Sequence, residues 1–275
     1  MRRRAAGNLV ALIALWLAVA CLDISSPVTG ITAISAVITP SPSVVVNDTS
    51  RDTAGQVAPM RVLAFGPKGE TLPPSSIVVQ FLANDSTMGL RVDGTTGLAF
   101  GDSLSGAASV LATVLPAQGK GQLQTFLVPL PVVPIPDSGL KGPDTTFVFQ
   151  PTPDSLSSQL LSPPLTVTVQ AGGDTIVQKY VVEYQIVRSP PPRAGQAAPT
   201  VVLRGQGADS TVAVTNGVGQ ASLQLRVRPT AINTAALLTT TDTVVVKVRV
   251  QYRGSSLPVF PVDSFIIPIR ATVGS

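Results

Sequence analysis

From residue 31 onward the chain alternates apolar and polar positions with a period of two, the mark of half-buried β-strands. In 243–253, Val244, Val246, Val248, Val250 and Tyr252 share one face, while Thr243, Lys247, Arg249, Gln251 and Arg253 share the other. In 220–228, Ala221, Leu223, Leu225 and Val227 oppose Gln220, Ser222, Gln224, Arg226 and Arg228. In 179–187, Tyr180, Val182, Tyr184 and Ile186 form an inner face. Shorter strands are predicted at 43–47, 60–65, 77–82, 108–114, 122–128, 165–170, 201–204, 211–215 and 265–270. Clusters such as Gly66-Pro67-Lys68-Gly69 and Asn216-Gly217 separate them. No amphipathic helix is predicted after residue 21. Many short strands divided by turn signals imply an all-β sandwich architecture rather than a parallel α/β sheet.

A repeat divides the chain. Gly106-Ala107-Ala108-Ser109-Val110 through Pro116 matches Gly219-Gln220-Ala221-Ser222-Leu223 through Pro229. Asn84-Asp85-Ser86-Thr87 lines up with Ala208-Asp209-Ser210-Thr211, and Thr39-Pro40-Ser41-Pro42-Ser43 resembles Ser162-Pro163-Pro164-Leu165-Thr166. The order is kept while the spacing drifts, as loop insertions would cause. Two β-sandwich domains are therefore predicted, at 31–136 and 163–275, each of a size that buries its own core. The Pro/Gly/Ser-rich stretch 137–162 is predicted to link them, with a stray strand at 145–149. Pro129-Leu130-Pro131-Val132-Val133-Pro134-Ile135-Pro136 reads as an edge strand fading into that linker, because Pro cannot donate to a ladder.

The segment Ala64-Phe65-Gly66-Pro67-Lys68-Gly69-Glu70-Thr71-Leu72-Pro73, followed by Ile77-Val78-Val79-Gln80-Phe81, resembles the start of a bacterial immunoglobulin-like domain of the invasin/intimin type. Thr215-Asn216-Gly217-Val218-Gly219-Gln220-Ala221 is similar to a turn of the same family. The first repeat lacks the Thr and Asp of that turn, and the second has Ser189-Pro190-Pro191-Pro192-Arg193 in place of the Gly turn. The resemblance implies two immunoglobulin-like sandwiches and leaves the ligand open.

The N-terminus carries an address. Arg2, Arg3 and Arg4 precede an unbroken apolar run from Leu9 to Ala20, too short to span a bilayer and typical of a signal peptide. Ala18-Val19-Ala20 satisfies the small-x-small rule for ordinary secretion, which would release the protein to the periplasm or medium. The same residues followed by Cys21, the sole cysteine of the chain, resemble a bacterial lipobox. That resemblance implies a signal peptide at 1–20 and acylation, palmitate included, at Cys21. It also implies a tether at 21–30 and a membrane partner reached through lipid. Asp23 stands two residues past the cysteine, which leaves transfer to the outer membrane open.

Composition narrows the chemistry. The chain has 275 residues and no His, which excludes imidazole catalysis and Cys/His zinc sites. Without the three N-terminal arginines the charge is 16 basic against 15 acidic residues, and no basic patch suggests nucleic acid. Phe100-Gly101-Asp102-Ser103-Leu104-Ser105 resembles the first block of GDSL esterases, in which the serine is the nucleophile. That family's base is His, so Ser103 is expected to be a loop residue. Ser138-Gly139-Leu140-Lys141 matches the S-x-x-K of serine acylases but is expected in the linker, and Gly205-Gln206-Gly207 lacks the rest of a nucleotide loop. Asn47, Asp48 and Asp52, and Asn84 with Asp85, are oxygen-rich clusters that would suit calcium or simply turns. No catalytic residue, cofactor or metal is expected. The predicted function is a non-catalytic, lipid-anchored envelope protein for adhesion, ligand binding or spacing, with an unidentified protein or glycan ligand. An ester hydrolase using Ser103 and a calcium-stiffened stalk are the alternatives.

Overall fold

The computed structural model describes residues 33–66, 68–84, 89–117, 123–150, 160–196 and 199–272. The signal segment, Cys21 and Asp85 lie outside them. The fold is an all-β sandwich. By its internal contacts the chain forms a smaller unit, to which Leu63–Val78 and Val114–Gln124 belong, and a larger unit of Val37–Val62, Val79–Thr113 and Thr125–Ser275.

The strands of the first half are β1 (Ala33–Ile38), β2 (Val44–Val45), β3 (Arg61–Phe65), β4 (Ile77–Ala83), β5 (Leu90–Val92), β6 (Ala99–Gly101), β7 (Ser109–Pro116), β8 (Gln124–Pro129) and β9 (Val132–Val133). They pair as β1–β3, β4–β7–β8, β5–β6 and the parallel pair β2–β9. Isolated bridges from Val46 to Gly101 and from Gly106 to Val132 stitch the short pieces together. Their core holds Val44, Met60, Phe81, Leu90, Ala99, Val110, Ala112, Leu130 and Val132.

The second half contains β10 (Pro136–Lys141), β11 (Phe147–Phe149), β12 (Leu165–Ala171), β13 (Thr175–Ile176), β14 (Val181–Arg188), β15 (Val201–Arg204), β16 (Val212–Val214), β17 (Gln220–Val227), a six-residue helix α1 (Thr234–Thr239), β18 (Asp242–Tyr252), β19 (Ser255–Ser256), β20 (Val259–Phe260) and β21 (Ser264–Ala271). Two sheets face each other. One runs β15-β17-β12-β10-β20 with β13 on β12, and the other runs β11-β21-β18-β14-β16 with β19 on β18. The alternating stripes meet across these ladders. Val182, Tyr184 and Ile186 oppose Val250, Val248 and Val246, while Val201 and Leu203 oppose Val227 and Leu225. The four inward valines of β18 are fully buried, each contributing roughly 1.5–3 kcal/mol.

Two expectations need correcting. The stretch 137–162 does not serve only as a linker, since β10 pairs antiparallel with β12 and β11 pairs parallel with β21. The reason is geometric. One chain segment passes from β10, inside one sheet, to β11 at the edge of the other, and Gly142 and Pro143 lie in the crossing. Lys141, only 7% exposed, holds this crossing in place. Its Nζ lies 2.7 Å from Asp144 Oδ1 and 4.5 Å from the Phe265 ring centre, and the same Oδ1 accepts the Ile266 N–H at 3.0 Å. Helix α1 was also not anticipated. The Asn233 side chain accepts the Ala236 N–H at its start, and the buried Leu237, with the half-buried Leu238 beside it, anchors it on the core. Six residues are too few for a helical period to emerge from the sequence.

Candidate functional site at a buried ion-pair joint

Of the four non-glycine residues with positive φ among the described residues, three, Asn47 (56°), Lys179 (53°) and Arg253 (52°), come together at one place in the larger unit. Strained backbone persists only where surrounding contacts hold it, and often marks a functional position. Here the turn after β2 meets the hairpin between β18 and β19 and the segment leading into β14. Ser43 Oγ donates to the Lys179 carbonyl at 2.7 Å.

Asp48 is the centre of the joint, 4% exposed. Its carboxylate accepts from Arg51 Nε and a terminal Arg51 nitrogen, both at 2.9 Å, from Arg253 Nε at 3.0 Å, and from the Thr49 N–H at 2.8 Å. Arg253 also donates to the Asn47 carbonyl at 3.1 Å, and its guanidinium stacks 5.2 Å from the Tyr252 ring centre. Burial pushes the Asp48 carboxyl up, but the bonds from Arg51, Arg253 and Thr49 outweigh it and hold the pKa at about 2. Burial pushes the Tyr252 hydroxyl up, and the Asp48 charge adds to that. The Tyr180 hydroxyl, raised by burial, donates to the Gln251 carbonyl.

Backbone meets backbone beside this pair. A Cβ on Gly55 would sit 2.3 Å from the Gly254 nitrogen, and both glycines have positive φ, 78° and 77°. No other residue type fits at Gly55 without displacing the hairpin. Val133 of β9 belongs to the larger core cluster, and the partly buried Val45 of β2 packs against that cluster. The remaining cleft is about 60 Å³, room for a few waters. That is well short of the ~300 Å³ at which small-molecule pockets begin.

The other candidates stay apart. Ser103 is exposed in the loop after β6, where its N–H donates to Asp102 Oδ1 at 3.1 Å and Asp102 pairs with Arg91 at 3.3 Å. With no imidazole in the chain, nothing there resembles an activated serine. Ser138 and Lys141 lie on β10 three residues apart, so strand alternation sends them to opposite faces. Asp52 Oδ1 accepts from the Ala54 and Gln56 N–H groups, a turn rather than a calcium ligand, and both oxygens of Asp48 are taken by guanidinium. Among the described residues no group of three or more acidic, His or Cys side chains could hold a metal. Asp48 lay within a cluster visible in the sequence. Arg253 did not, since 205 positions separate it from Asp48.

No family profile matches the sequence, and no curated protein matches it. Solved structures similar to it include domains 4 and 5 of the S-layer protein SbsC, at 12% identity and TM-score 0.29, covering 88% of this chain and all of that one. The adhesin InvE of Yersinia pseudotuberculosis is similar at 14% identity and TM-score 0.35, covering 86% of this chain and 60% of that one. Mouse cadherin-23 EC22–24 is similar at 10% identity and TM-score 0.26, covering 89% and 67%. Among the described residues no helix is long and apolar enough to cross a membrane.

Proposed function

We propose that this chain is a non-catalytic, lipid-anchored protein of the bacterial envelope, acylated at Cys21 and held at the outer membrane. In this reading its immunoglobulin-like sandwiches act as a stiff spacer that presents the distal domain at a set distance and angle. The single observation that carries the spacing role is the Asp48 joint. A buried carboxylate clamped by two guanidinium groups, a glycine-to-glycine backbone contact and the packing of Val45 and Val133 on the larger core resist bending far better than a free linker would. A spacer of this kind needs rigidity rather than a cleft, and a cleft of about 60 Å³ suits that need. The lipobox-like Ala18-Val19-Ala20-Cys21 supports the anchor. An ester hydrolase using Ser103 has no observation in its favour.

The test pairs two measurements on the full chain. Labelled palmitate is expected to enter the wild type and to vanish in Cys21→Ser. Spin labels placed on the two sandwiches are expected to give one narrow distance distribution that broadens in Asp48→Ala. Palmitate uptake that survives Cys21→Ser overturns the anchor, and a broad distribution in the wild type overturns the spacer.

A further inference from the structure

The outward face of β17 carries a polar ladder: Gln220, Ser222, Gln224 and Arg226, spanning about 20 Å of strand. In register beside it stand Thr168 and Thr166 of β12 and Arg204 of β15. This ladder floors a groove of about 1010 Å³, walled by the 205–208 turn and the 212–216 segment. The volume is at the upper end of small-ligand sites. Lys179, Arg204 and Arg226 line it, and no carboxylate does.

These cations are only partly satisfied. Asp209 stands to one side, 3.6 Å from Arg226 and 3.4 Å from Arg228, longer than the 2.7–2.9 Å of a firm charge-assisted bond. Arg204 reaches the Gly207 carbonyl at 3.3 Å. Arg226 is 17% exposed; its Nε is buried without a hydrogen-bond partner, so its terminal nitrogens are what it can offer to the groove. A bound partner would therefore need anionic groups for the guanidiniums and hydroxyls for the amides and serine. An acidic peptide adding to the β16 edge fits less well. That strand has three residues, and Ser210 Oγ already bonds both the N–H and the carbonyl of Val212.

We propose that this groove binds an acidic oligosaccharide of the uronic-acid type, its carboxylates on Arg204 and Arg226 and its hydroxyls on Gln220, Ser222 and Gln224. The site is independent of the spacer reading, and its failure would leave that reading intact. Calorimetric titration of the full chain with hexagalacturonate tests it, against maltohexaose, hexaglutamate and inorganic phosphate. Saturable binding of hexagalacturonate with a Kd of about 1 mM or tighter is expected, weakened by added salt. Arg204→Ala and the Arg204→Ala/Arg226→Ala pair are each expected to weaken it, the pair at least about tenfold. Asp209→Asn is expected to tighten it by removing a competing carboxylate. Arg204 lies at a strand end, so its single variant keeps the test valid should Arg226→Ala fail to fold. No saturable binding overturns the proposal. So does equal binding of hexaglutamate, binding of phosphate alone, or an affinity unchanged in a folded Arg204→Ala chain.

Discussion

The two halves of the chain obey the same alternation and build very different cores. Among the described residues the second half joins twenty-nine buried side chains, with Val133 of the first half, into one cluster, and the first half joins nine in another. In the second half, strands of seven to eleven residues such as β12, β14, β17 and β18 pair over runs of four to six residues, with one bulge between Ile186 and Arg188 of β14. In the first, strands such as β2, β5, β6 and β9 have two or three residues, pair over only two or three positions, and are supplemented by isolated bridges to loop residues. A short strand places one side chain inward where a long one places four, so ladder length sets core size. The difference shows why the joint matters. The weaker half shares apolar contact through Val45 and Val133 with the stronger one and is clamped to it by Asp48.

The sharpest probe is a matched pair of cavities. Leu225→Ala, in the large core, is expected to cost about 3–5 kcal/mol, and Leu130→Ala, in the small one, about 2–3 kcal/mol because its surroundings relax more readily. Guanidinium denaturation of both variants measures this, and equal costs would break the comparison.

Acid should act next most strongly, through the joint. Asp48 titrates at about 2 in the folded chain against 3.8 unfolded, so its contribution is complete above about pH 5 and is lost as pH falls through the folded value. The loss is about 2 kcal/mol. Arg253→Ala removes one of the bonds that lower this pKa, so the acid transition is expected to move to higher pH. Melting temperature against pH for the wild type and the variant checks both.

Gly55→Ala is expected to cost at least about 1–2 kcal/mol, from positive φ and from the contact with Gly254, and to loosen the joint in the spin-label experiment. Asn233→Ala, which removes the cap of α1, should cost about 1 kcal/mol without affecting the joint. Ser103→Ala should change stability by less than about 0.5 kcal/mol and leave p-nitrophenyl ester turnover at its wild-type level. A loss of turnover in that variant would revive the hydrolase reading.

Much of the strand content was legible because period-two alternation follows directly from the pleat. The predicted strand at 201–204 coincides with β15, and the inward faces read at 220–228 and 243–253 are buried as read, apart from the half-buried Tyr252 at the joint. The turn at Asn216 was legible too. Its side chain accepts the Val218 and Gln220 N–H groups, and Gly219 takes positive φ. Pro136–Lys141 escaped notice because proline and glycine normally mark loops. Here Gly139 is buried between facing sheets, with Val250, Val167 and Val259 crowding the place of a side chain. The β5 and β6 strands escaped notice because three residues carry no period.

The sequence by itself determined the all-β class, the inward and outward sets of the long strands, and the exclusion of imidazole chemistry. Those properties depend on neighbours in the chain, or on residues that are simply missing from it. The tertiary structure alone decided that Asp48 meets Arg253, that Gly55 lies against Gly254, and that Arg204 and Arg226 line one groove. Each of those contacts joins segments whose separation in space depends on how whole strands are ordered in the sheets, and a local pattern carries no information about that order.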